Sequence, residues 1–251
     1  MAEAFPGWTS KAPHPTLVSS GEGDARKEVT ALLSPALVAA LDSDHRMLVV
    51  TGPAADGKGQ PLESHANDAN IGAYGFERRD GRWFKTFQRH SLGWTGFYGE
   101  VGTLKAHALG NGRVALSVEN GSCWQGFCGD WLQVYALSLN EARPAASLAL
   151  GSSSTGATVG CEEWLKGKPL AADEAMSITA DNCFKVGSRW RFDKASDAGW
   201  PDLVVEFTGG EAVEGAKPGQ PSPRVVDEQL VLRHDGSAYK ILSGRNPTRG
   251  F

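Results

Sequence analysis

The sequence predicts a mainly β, antiparallel domain, of propeller-like or sandwich/barrel form, with one short helical region near its N-terminus. Three observations carry that expectation. The 251 residues include 31 Gly, 13 Pro and 8 Trp, a mixture that suits short strands joined by tight turns. Short apolar runs recur along the chain, separated by turn-forming residues, as in antiparallel sheets. The dipeptides Asp80-Gly81, Asn111-Gly112 and Asp235-Gly236 each fall between two such runs, where a two-residue hairpin turn favours Asp or Asn followed by Gly.

Taken in order, residues 1–23 read as an extended lead-in bearing Pro and Gly. The stretch "DARKEVTALLSPALVAALDSD" then predicts two short helical pieces, over 25–33 and 35–42. Val29, Leu32 and Leu33 share one helical face, and Ser34-Pro35 fits an N-cap followed by a first helical position. Beyond Asp44 the pattern turns to β, starting with a strand over Met47–Val50. Strands at 71–78 and 82–88 flank Asp80-Gly81, and strands at 101–109 and 113–119 flank Asn111-Gly112. Residues 131–139 alternate in part, and 145–150 follow. Later strands are expected at 177–180, 190–192, 203–207, 229–233 and 239–242. Residues 209–224, "GGEAVEGAKPGQPSPR", are polar and rich in Gly and Pro, so they read as a long mobile loop. With no repeat and no linker, residues 24–251 read as one domain.

The composition sets further bounds. Hydrophobic residues make up 41% and charged residues 22%, values of a globular chain. The net charge is −4 and Lys and Arg form no basic stripe, so nucleic acid is not an expected partner. No apolar run approaches the roughly 20 residues of a membrane-spanning helix.

Cys123, Cys128, Cys161 and Cys183 suit two disulfides. Free buried thiols and a metal site are the alternatives. Metal is disfavoured because Cys-x-x-Cys spacing is missing and no histidine lies near a cysteine in sequence. Disulfides imply an oxidising compartment, periplasmic or extracellular. The opening "MAEAFPGW" carries no basic-then-apolar export signal. Two readings follow: a mature form whose signal was removed, with Met1 as an added start, or a cytosolic protein with free thiols.

Four motifs suggest chemistry and then fail on detail. Gly52-x-x-x-x-Gly57-Lys58-Gly59 approaches a phosphate-binding loop. Gly59 stands where the Mg²⁺-binding hydroxyl belongs, Pro61 follows, and no helical period succeeds it, which predicts a surface loop. In Gly151-Ser-Ser-Ser-Thr-Gly156 the second glycine of a hydrolase elbow is displaced by Thr155. His14, His45, His65, His90, His107 and His234 show no i, i+2 or i, i+4 pair, the spacing that presents two ligands together. "DKASDAGWPDLVV", Asp193 to Val205, has the outline of a calcium loop. Aligned on Gly199 and Asp202, it puts Lys194, Ser196 and Ala198 at the other ligand positions, so no metal is expected. Glu162-Glu163 and Asp173-Glu174 read as solvated charges. No cofactor and no catalytic residue is expected.

"HSLGWTGFYGEVG…NGSCWQGFCGDWLQVYAL" is the richest stretch, with Trp94, Phe97, Tyr98, Trp124, Phe127 and Trp131 among many glycines. A Cys123–Cys128 bridge would close "CWQGFC" into a tight hairpin tip, and Trp124 and Phe127 in so small a ring cannot both reach a distant core. These aromatics fill a glycine-rich core or form a recognition surface. Trp94, Phe97, Tyr98, Trp124, Gln125 and Phe127 are the candidate partner-binding residues, because aromatic anchors dominate interface energetics.

A wider resemblance rests on "RMLVV", "DGRWF", "LGWTGFYGEVGTLKAHALGNGRVALSVENG", "WQG", Cys161, Cys183, "WPDLVVEFTGG" and "RHDGSAYKILSGRNP", over about residues 28–247. In these motifs the chain resembles a broad set of exported, β-rich bacterial proteins. Some of them are propeller-like periplasmic inhibitors or immunity proteins against toxins of rival bacteria. The resemblance implies an exported protein that binds another protein and supplies no catalytic residue. Where members carry a calcium loop, this chain departs from the pattern. A carbohydrate-binding module using Trp94 or Trp124 as a stacking platform, and a hydrolase whose site assembles only in three dimensions, are the alternatives.

Overall fold

In the computed structural model, residues 12–20, 27–193, 199–217 and 220–250 are described. They form thirteen strands and two short helices: β1 (His14–Ser20), β2 (Lys27–Ala40), β3 (His45–Pro53), β4 (Ala69–Arg79), β5 (Arg82–Thr95), β6 (Thr103–Gly110), β7 (Arg113–Trp124), β8 (Phe127–Ser138), β9 (Glu141–Ser153), α1 (Cys161–Leu165), α2 (Ala172–Ser177), β10 (Phe184–Phe192), β11 (Leu203–Lys217), β12 (Gln220–His234) and β13 (Tyr239–Gly244). The mainly β, antiparallel expectation holds. The strands form a five-stranded sheet in the order β1-β2-β3-β4-β5 and an eight-stranded sheet in the order β13-β12-β11-β10-β9-β8-β7-β6. Long meanders thus replace the four-stranded blades of a propeller.

The chain clusters into two compact units, one of Met1–Asn120 with Gln133–Ala146, the other of Gly121–Leu132 with Ser147–Phe251. In the first unit β3 and β4 are buried on both faces. Met47, Val49, Ala69, Ile71 and Ala73 join one core with Val114, Leu116, Val118, Tyr135 and Leu137. Leu48, Val50, Tyr74 and Phe76 point the other way, into a second core with Val18, Ala31 and Leu33. Burial on both faces explains why "RMLVV" is an unbroken apolar run and not an alternating one. The outer strands of the sheet meet, and Trp94 Nε1 on β5 donates to the Ser19 carbonyl on β1 at 3.0 Å.

In place of the helices expected at 25–33 and 35–42, residues 27–40 are strand β2; residues 25–26 lie outside the described residues. Val29, Leu32 and Leu33 mimic helical spacing, yet in the strand Val29 and Leu33 share the face that packs on the second core and Leu32 lies on the opposite face. β2 pairs with β1 along 27–33 and with β3 along 34–40, with a register shift between Pro35 and Leu37. The extra residue reverses which face the following side chains occupy. Ala31 and Leu33 enter the second core, whereas Leu37 and Ala39 meet the first. Pro35, which has no N–H to donate, sits at the irregularity, where a strand tolerates it.

Asp80-Gly81 and Asn111-Gly112 form the expected two-residue turns, whereas Asp235-Gly236 opens a four-residue connection between the paired His234 and Tyr239. Asp80 and Gly81 have φ of 49° and 74°, and Asn111 and Gly112 have 53° and 68°. Two successive positive φ values define the hairpin turn whose twist matches its strands. At Asp235-Gly236 the Asp235 carboxylate accepts from the backbone N–H of Ser237 (2.8 Å) and Ala238 (2.9 Å), which holds its pKa well below the usual carboxylate range.

Three further expectations change. His14–Ser20, within the expected lead-in, is β1; residues 1–11 and 21–23 lie outside the described residues. The strand expected at 177–180 does not form, since Ser177 ends α2. In place of the loop expected at 209–224, residues 209–217 and 220–224 belong to β11 and β12, paired from Gly209↔Val226 to Val213↔Ser222 and again at Lys217↔Gln220; residues 218–219 lie outside the described residues. Gly209 serves packing: a Cβ there would lie 2.0 Å from the Lys185 carbonyl oxygen.

In the second unit, Cys161 and Cys183 are disulfide-bonded and fully buried with Ile178 and Ala212, against Trp164, Leu165 and Leu170. Glu211, 5% exposed, sits between two arginines. Arg224 Nε donates to it at 3.0 Å and Arg249 Nη2 at 2.7 Å. Arg249 also donates to the Ala180 carbonyl at 2.5 Å, and its backbone N–H to Ser152 Oγ at 3.0 Å. These bonds tie the end of the chain to β9 and β11.

Candidate functional site

Two hairpin turns carry side chains that such turns rarely choose. Both central positions need positive φ, which favours Asn, Asp or Gly and costs other residues about 1–2 kcal/mol. One turn is Gln125-Gly126, with φ of 50° and 86°; the other is Tyr98-Gly99, with 56° and 75°. A bulky residue held there points to a use for its side chain.

Gln125-Gly126 joins β7 to β8 and is closed by the Cys123–Cys128 disulfide. The tip is fixed from below as well. A Cβ on Gly126 would come within 2.3 Å of Ala157 N, so only glycine allows this contact with the 156–157 backbone. The half-buried Phe127 lies with its ring centroid 6.5 Å from that of Phe184. Phe127 therefore anchors the tip. Trp124 stays 61% exposed, and Gln125 is exposed beside it. The expectation that at least one aromatic of this ring faces outward is met by Trp124.

In the other unit, Phe97 and Glu100 exchange backbone hydrogen bonds of 3.0 Å each way around Tyr98-Gly99. The His65 ring packs 5.8 Å from Phe97 and 5.3 Å, edge-on, from Tyr98, which remains 53% exposed. Trp94 is not a free platform: half-buried, it packs on the second core, and its indole N–H is engaged by Ser19. The six candidate residues thus divide between the two units, Trp94, Phe97 and Tyr98 in one and Trp124, Gln125 and Phe127 in the other.

Beside the Tyr98 turn lies a cleft of about 770 Å³, lined by residues that include Pro13, Pro15, Leu32, Pro53, Pro61 and Glu63. Sequence reasoning missed it, because its walls come from five separated segments. The phosphate-loop-like stretch supplies one wall. There Asp56 Oδ1 accepts from the backbone N–H of Lys58 and Gln60 at 2.8 Å each, closing the surface loop that the sequence predicts.

The other motifs are occupied structurally. Ser154, fully buried, accepts from Phe184 N–H at 3.0 Å and donates to its carbonyl at 3.3 Å. Asp202 of the calcium-like loop is held at both oxygens by Arg233, at 3.0 and 2.7 Å. The guanidinium supplies the positive charge that a cation would bring, and it lowers the Asp202 pKa. Lys194, Ser196, Asp197 and Ala198 lie outside the described residues. His90 meets the Tyr74 hydroxyl at 2.6 Å, and His107 meets Ser117 Oγ at 2.9 Å. Burial pushes both imidazole pKa values down. Among the described residues no group of three or more His, Cys, Asp or Glu could hold a metal ion. No helix among them is long and apolar enough to cross a membrane.

None of three comparisons with known proteins, by family model, by curated sequence or by solved structure, finds a match.

Proposed function

We propose that this is a non-enzymatic, exported protein that binds another protein through the Trp124 hairpin tip, as an inhibitor or immunity protein against a bacterial toxin would. One observation carries the reading: a 61% exposed tryptophan stands on a two-residue turn closed by a disulfide. Ordering a flexible side chain or loop on binding costs about 0.5–1.5 kcal/mol per side chain. A clamped tip has met much of that cost before it meets a partner, and tryptophan is among the residues richest in interface hot spots. The two disulfides fit an oxidising compartment. The same exposed ring also suits stacking on a sugar, the second reading, with Trp124 and not Trp94 as the platform.

Affinity capture from periplasmic extract and culture medium tests this, with the wild-type chain and Trp124→Ala as parallel baits. The expected outcome is a protein retained stoichiometrically by the wild type and weakened by about 2 kcal/mol or more in the variant, with unchanged thermal melts. A partner held equally by both baits would overturn the role of Trp124. Retention on peptidoglycan or polysaccharide alone, again lost in the variant, would favour the sugar-binding reading.

A further inference from the structure

We propose that the cleft beside Tyr98 is a second binding site, for an extended peptide segment that presents lysine or arginine. It goes beyond the Trp124 reading and does not depend on it. The volume, about 770 Å³, falls within the range of roughly 300–1,000 Å³ of natural ligand sites, which are concave, mostly apolar and preformed. Proline and leucine make up the apolar walls, and Glu63 and Glu100 are the charged residues among the lining. Among the described residues no lysine, arginine or histidine lines it. Charge complementarity therefore selects a cationic occupant. The aliphatic stems of lysine and arginine lie along apolar walls while their heads reach carboxylates. A small free amine would leave most of the proline surface uncovered, which favours a peptide.

The walls are fixed in advance. Ala55 N–H donates to the Thr30 carbonyl and Leu62 N–H to the Ala54 carbonyl, each at 2.8 Å. Gly99, packed beside Pro53 and Leu62, donates its N–H to the Asn67 carbonyl at 2.8 Å, and Asn67 Oδ1 accepts from Ser64 N–H at 3.0 Å. At Gly52 a Cβ would lie 1.9 Å from the Leu32 carbonyl oxygen, so the floor is backbone packed on backbone. Such a cleft needs little rearrangement to accept a ligand. Tyr98, next in sequence to the lining residue Gly99, is half-exposed and supplies a ring face for a cation. That use accounts for a tyrosine at a position where asparagine is less strained.

Fluorescence anisotropy on the full chain tests the proposal, with fluorescein-labelled Pro-Lys-Leu-Lys-Pro and its counterpart Pro-Glu-Leu-Glu-Pro as probes. The basic peptide is expected to bind saturably and about tenfold more tightly than the acidic one. Replacing both carboxylates, Glu63→Gln with Glu100→Gln, should weaken it about fivefold, since two exposed rim pairs are lost. Ser34→Lys, which sets a cation into the wall, should reduce it further. Equal binding of the two peptides, no saturable binding of either, or an affinity unchanged in both variants would overturn the proposal. The assay contains no partner protein, so its failure leaves the Trp124 reading standing, and failed capture by Trp124 leaves this site standing.

Discussion

Replacing Cys161 and Cys183 together by alanine is expected to lower the unfolding free energy by about 3 kcal/mol, the value for closing a loop of this order. The two cysteines are 22 residues apart. Between them lie α1 and α2, of five and six residues. Helices this short do not persist in water on their own. What holds them is the small core around the bond, Ile178 and Ala212 with Trp164, Leu165 and Leu170, and the Asn182 side chain, which donates to the Ser177 carbonyl at 2.8 Å. Without the covalent link these contacts must bear the whole ordering cost of the segment. Differential scanning calorimetry should show a fall of roughly 10 °C in a chain of this length. The Cys123–Cys128 pair should behave differently. It spans five residues across a hairpin that already brings its ends together, so its loss costs less. Cys123 is also exposed, whereas Cys161 and Cys183 are fully buried, so mild reductant should open the tip first.

The second large effect is expected at Glu211. Glu211→Gln should cost about 2–3 kcal/mol, near the lower end for a broken buried pair, because Arg224 and Arg249 keep part of their surface in water. Burial pushes the Glu211 carboxyl up, but the hydrogen bonds and charges of Arg249 and Arg224 outweigh it and bring the net pKa below the ordinary 4.5. The unfolded chain therefore binds the proton more readily than the folded one. Stability from this group is fully present above pH 4.5 and is lost as the pH falls through the lower, folded value. Urea titrations of the wild type and Glu211→Gln, run between pH 7 and pH 3, should converge toward the acid end. A constant gap between them would place the effect of Gln elsewhere. Glu228→Gln is the control, since its main partner Arg245 is 61% exposed, and an exposed pair contributes at most about 1 kcal/mol.

Much of the fold is legible where local chemistry decides it. Asp80-Gly81 and Asn111-Gly112 form the turns their residue types demand, and the paired cysteines are bonded. The sequence misleads where one pattern has two physical causes. Val29, Leu32 and Leu33 have helical spacing, yet in β2 Val29 and Leu33 share the face on the second core while Leu32 lies on the other face and lines the cleft. Glycine and proline in residues 209–224 look like loop composition. In the sheet Gly209 and Gly215 answer to close backbone approach, and the buried Glu211 among them finds its arginines 13 and 38 residues away. Such long-range partners leave no local trace. The same holds for the site. The exposed Trp124 tip follows from the spacing of Cys123 and Cys128. The cleft, assembled from segments as distant as Pro13 and Leu104, does not.

Two sulfur links brace the strand scaffold of the second unit, one of them clamping the Trp124 tip. Alkylation of the native, unreduced protein followed by peptide mass mapping tests this most directly. The structure predicts no alkylated cysteine and two cross-linked species, Cys123 with Cys128 and Cys161 with Cys183. Four alkylated thiols, or a species joining Cys123 or Cys128 to Cys161 or Cys183, would contradict it.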